Sequence, residues 1–249
     1  MTGFKKALDA EIKKTAGRKK VKVAMVLCLI ATLISAVICT LAGNFMGVNM
    51  TGKAEFSLTV LPVFLNFLIP LFVIFMCIDV FGAEFSSGTM KTTLLTGAPR
   101  YEIFFAKTAL LGIFIAAMLA FSMVTSFIAS IIIGKTEWAI LRVIFSYIIS
   151  FFPLMTFAFM CALVSNVIKS SGASFMISVL LYIAFYVLGI VFPALSAFFF
   201  TSGFDVYILL SRPSLGAFKI IRTLLMLWAI RRYLQGSENI FLKRKNFKP

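Results

Sequence analysis

The sequence predicts an all-α integral membrane protein with six transmembrane helices. Composition is the first reason: 61% of the 249 residues are hydrophobic and only 13% are charged, with a mean hydropathy of +1.04. A soluble domain holds about half apolar and a quarter charged residues. Spacing is the second, because apolar runs near the roughly 20 residues that cross a bilayer recur along the chain. The third is the placement of charge. Lys and Arg number 24 against 9 acidic residues, a net charge of +15. In a soluble protein this would suggest nucleic acid. Here the basic residues gather between apolar runs, where they set orientation in a membrane, and no nucleic-acid partner is expected.

The chain starts with Gly3–Lys20, read as an interfacial helix. Phe4, Leu8 and Ile12 recur every four residues, with Lys5, Lys6, Lys13 and Lys14 elsewhere around the axis. The alternative is a disordered basic tail. No signal peptide is expected, since the polar lead is long and no small-residue cleavage pattern closes the first apolar run. The spans follow at about 21–43, 58–81, 103–134, 138–167, 173–200 and 214–242, forming a single transmembrane domain. The second is interrupted by Pro62, Asn66 and Pro70, the fourth contains Arg142 near one end and Pro153 in the middle, and the fifth holds Pro193 near its far end. Cys28, Cys39, Cys77 and Cys161 lie inside apolar runs and read as small hydrophobes. The absence of histidine excludes His catalysis and His metal sites.

Orientation follows from the cations between spans. The tail through Lys22 holds eight, the 84–107 loop three, Lys169 one and the tail from Arg231 six, so eighteen lie on one side. Lys53, Lys135 and Arg212 make three on the other. That asymmetry places both termini, and the 84–107 loop, in the cytoplasm.

This loop, EFSSGTMKTTLLTGAPRYEIFFAK from Glu84 to Lys107, has a readable shape. Thr89 is a good N-cap, Met90 to Thr96 make about two helical turns, and Gly97 followed by Pro99 stops them. Met90 and Leu94 share one face as an apolar ridge. So short a helix is unstable alone in water, so it must lie on the membrane or against another protein. An interfacial connector without a partner and a docking element are both open on these grounds.

Three motifs of the loop carry a resemblance. Glu84, Gly88, Thr89 and Lys91 stand in E-x-x-x-G-T-M-K, Leu95, Gly97 and Arg100 in L-L-x-G-x-x-R, and Ile103 and Lys107 in I-x-x-x-K. Together they resemble the cytoplasmic loop of type 2 ABC transporter permeases, and are most similar to the six-span bacitracin-export and lantibiotic-immunity group of Gram-positive bacteria. Pro99 departs from the pattern, which commonly has Ser before the Arg. SNVIKSSGASFMI (Ser165–Ile177) resembles the turn between the fourth and fifth spans of those proteins, and FLKRKNF their basic ending. The resemblance implies a short cytoplasmic coupling helix between spans 2 and 3 that docks on a separate ATP-binding subunit. Glu84, Gly88, Thr89, Met90, Lys91, Leu94, Leu95, Gly97, Arg100 and Lys107 would serve ATPase coupling. It also implies two permease subunits, identical or homologous, two ATPases carrying the ATP and Mg, a bacterial cytoplasmic membrane, and an external re-entrant hairpin between spans 5 and 6.

No cofactor or catalytic residue is expected in this chain. The one G-K-T, at Gly134-Lys135-Thr136, has Ala129 where a phosphate-cradling Walker loop requires Gly. Candidates for a substrate path are Asn66, amid two prolines, and the cations Lys219, Arg222 and Arg231 of the last span. Asn66 equally suits packing against a neighbouring helix, and the cations can instead snorkel to the interfaces. Asp79, close to the loop, is expected to pair with the loop's basic groups. By analogy the cargo is an amphipathic or antimicrobial peptide, for secretion or self-immunity. Competing readings are export of another small hydrophobic drug or ion, an ATP-independent transporter or channel, and a non-transporting immunity subunit.

Overall fold

A computed structural model describes residues 19–46, 56–82, 100–133, 140–168 and 170–192, together with positions 8, 9, 12, 13, 15, 17 and 204. The side chains at 42–46, 82 and 100–104 are not among the described atoms. The described chain is helical throughout its long elements, with no strand among the described residues. Among the described residues, five helices are long and apolar enough to cross a membrane. The proposed coupling helix, the last span at 214–242 and all of the re-entrant hairpin except Phe204 lie outside the described residues.

The first span, α1, is Lys19–Met46. Its buried face is narrow and made of small side chains, Ala24, Cys28 and Thr32 at every fourth position, then Cys39. In a bilayer lipid tails are as apolar as Leu, so small residues that let backbones approach supply the packing that drives association. That face lies on the third span, α4, Arg100–Ile132. Thr32 Oγ1 stands 3.2 Å from Thr125 Oγ1 across the contact. Ahead of α1, positions 8, 9, 12, 13 and 15 are helical, and Ile12 packs on the core.

The second span is broken into four pieces: α2, Phe56–Val63; a π-helical turn, Phe64–Leu68; α3, Ile69–Cys77; and a second π-helical turn, Ile78–Gly82. The interruption read at Pro62, Asn66 and Pro70 is therefore real and has a backbone form. In the first π turn the Ile69 amide bonds the carbonyl of Phe64, five residues back instead of four. This span is the hub: 61% of its apolar window is buried. It touches α4, α5 (Ile140–Val167) and α6 (Ser171–Val191). Tyr147 of α5 adds a polar tie, its hydroxyl 3.1 Å from Ser126 Oγ and donating to the Ser57 carbonyl at 3.4 Å. The Tyr147 and Ser126 hydroxyls are thus satisfied within the protein, as hydrocarbon requires.

Between α5 and α6 the turn is tight, and Ser174 Oγ donates to the Ile168 carbonyl at 3.1 Å. The fifth span was expected to run to residue 200, but α6 stops at Val191. Phe192 leaves the helical region at φ −119° and ψ 77° because Pro193 follows, and a proline disfavours the helical conformation in the residue before it. Only 11% of the α6 window is buried, so it stands at the periphery of the described bundle.

Candidate functional site

The 83–99 segment connects Gly82, the last described residue of the second span, to Arg100, where α4 opens. Glu84, Gly88, Thr89, Met90, Lys91, Leu94, Leu95 and Gly97 lie outside the described residues, and Arg100 and Ile103 are described by backbone alone. The coupling candidate with a described side chain is Lys107, two turns into α4. It is buried, with Nζ donating to the Val80 carbonyl at 2.8 Å and lying 5.7 Å from the centre of the Phe81 ring. A buried ammonium must find acceptors, and Lys107 finds one on a neighbouring helix in the Val80 carbonyl. It therefore joins the two stems of the segment, one on the second span and one on α4.

Asp79 sits in the same π turn, and its described ion pair is with Lys20 of α1, Nζ to Oδ1 at 2.7 Å. The expected partners were basic groups of the loop, of which Lys91 and the Arg100 side chain lie outside the described atoms. Lys20 stands in the first turn of α1, at the same end of the bundle. Two helices thus place a lysine on the exit of the second span.

Asn66 lies in the first π turn and is partly buried. Its backbone carbonyl accepts a hydrogen bond from the hydroxyl of Tyr182 in α6. Proline explains this contact. In a regular helix the residue-70 amide would bond the residue-66 carbonyl, but Pro70 has no N–H to give. Tyr182 supplies the missing donor from outside. Its ring packs with Phe157, Tyr186 and Phe204, with centroids 5.4, 6.3 and 6.5 Å away. Phe204 is fully buried there. The sequence reading missed Tyr182, although Pro70 was the available signal: each proline inside a span leaves a carbonyl that some neighbour must serve. Lys219, Arg222 and Arg231 lie outside the described residues, so Asn66 is the one path candidate placed.

Residues 7–191 match the model of a family described as ABC-2 family transporter protein, a stretch that runs from the N-terminal helical positions to the end of α6. No curated protein matches the chain.

Proposed function

The chain belongs to the ABC-2 transporter family, a multi-pass membrane component of an ABC transporter, and from that premise we propose that it is the permease of a peptide exporter. The family associates with an ABC ATPase. In our reading two permease chains, identical or homologous, join two ATPase subunits, which bind the ATP and Mg. The cargo is an amphipathic or antimicrobial peptide, exported for secretion or self-immunity as in the bacitracin-export and lantibiotic-immunity group. Asn66, Lys219, Arg222 and Arg231 line its path. The 84–100 segment docks on the ATPase at the cytoplasmic face of the bacterial membrane.

The observation that carries the coupling role is the tether at the segment's two stems. A docking segment transmits force only if its ends are fixed relative to the spans. Lys107 fixes them to each other through Val80, and Lys20 holds the same turn through Asp79. The test is to measure export and ATP hydrolysis in Arg100→Glu and Gly88→Leu. Export should be abolished and hydrolysis uncoupled from it, with insertion and expression intact. Wild-type export by either variant removes the segment from the mechanism.

A further inference from the structure

Two π-helical turns flank the nine residues of α3 in the second span. Such turns are rare, widen the helix locally and often mark functional positions. Each holds a carbonyl that receives a side chain from another helix: Asn66 from Tyr182 of α6, and Val80 from Lys107 of α4. Between them α3 is regular, and seven of its nine residues are buried.

We propose that Ile69–Cys77 is a rigid lever that turns between two π-helical hinges, with the Tyr182 hydroxyl as the latch at one hinge and Lys107 at the other. This rests on the coupling role above, because the Ile78–Gly82 hinge leads directly into the 83–99 segment. Force arriving on that segment turns the lower hinge, travels along α3 and reaches the latch at Asn66. Tyr182 is a positioning residue in this scheme. Its ring is held by three aromatic neighbours, so its hydroxyl can be removed while the packing stays.

The native cysteines provide the test. Cys77 ends α3, buried, with its thiol against the Ala158 carbonyl at 3.4 Å, while Cys28 is buried on α1, away from the lever. The full chain in nanodiscs is treated with N-ethylmaleimide, a small membrane-permeant reagent, and the modification rate of each cysteine is read by mass spectrometry. Tyr182→Phe should raise the Cys77 rate roughly fivefold, the factor that one net hydrogen bond corresponds to. The Cys28 rate should not change. Adding Pro70→Ala restores an amide at residue 70 that closes the Asn66 carbonyl within the helix, so the double variant should return to the wild-type rate. An unchanged Cys77 rate, equal acceleration of Cys28, or no rescue by Pro70→Ala overturns the latch. In a second arm, ATP added to the wild-type permease assembled with its ATPase should accelerate Cys77 selectively. Success in the first arm and no response in the second means that the segment does not drive the hinge, and overturns the lever. The first arm needs no ATPase, so its outcome is separate from that of the coupling role itself.

Discussion

Lys20 and Lys107 reach the same turn of the second span from different helices, and their exposure separates what each contributes. The Lys20 side chain is 58% exposed, and its pair with Asp79 belongs with exposed pairs worth about 0–1 kcal/mol. Lys107 is 5% exposed, and its ammonium meets a carbonyl oxygen. Lys107→Glu would bury a carboxylate against that oxygen, a loss of about 3–5 kcal/mol from a total of about 5–15. Folded Lys107→Glu should therefore be scarce by size-exclusion chromatography in detergent, Lys107→Arg should be recovered, and Lys20→Ala should lower the thermal midpoint only slightly. A stable Lys107→Glu would show that the contact does not hold the stems. Lys107 was legible as a motif position, but its burial was not, because spacing along a chain does not say which carbonyl a side chain meets. Tyr182 carried no pattern at all in a chain that is 15% aromatic.

Among the elements, the five described spans were legible because length and apolar content alone define them. The breaks were legible only in part: Pro70 leaves the carbonyl that Tyr182 serves, whereas Pro153 sits inside an unbroken α5, and α6 ends before Pro193, short of the expected residue 200. The π turns were not. A π turn adds one residue to a helical turn, and in a segment apolar on every face such a slip leaves the hydrophobic pattern unchanged. Packing distances were likewise invisible, and Gly112 of α4 shows what they decide. A methyl added there would lie 3.5 Å from Met155 Cε and 3.8 Å from Phe151 Cζ on α5, ordinary contact distances. Glycine inside a helix costs about 0.5–1 kcal/mol relative to alanine. Gly112→Ala should therefore raise the thermal unfolding midpoint. Cys28→Phe on the close α1 face should lower it, since overpacking costs about 1–3 kcal/mol. A fall in the midpoint of Gly112→Ala would mean that α4 and α5 are packed more tightly than these distances allow.

At the scale of the molecule, the described bundle is built around its second span, with α6 at the edge, and its polarity across the membrane rests on the distribution of cations. One helix makes that polarity testable. α4 has 33 residues, about 50 Å of helix at 1.5 Å per residue, more than the ~30 Å hydrocarbon core. If α4 crosses, the segments before and after it face opposite compartments. Cysteines introduced at Ser87 and at Thr136 fall on those two sides. The native Cys28, Cys39, Cys77 and Cys161 are all buried, so a membrane-impermeant maleimide should pass them by and the wild-type background serves. Ser87→Cys should react only in inverted vesicles, and Thr136→Cys only in intact cells. Labelling of both from one side would mean that α4 does not cross. The reverse pattern would put the 84–107 segment outside, where no cytoplasmic ATPase could reach it, and the coupling role would fall with the orientation.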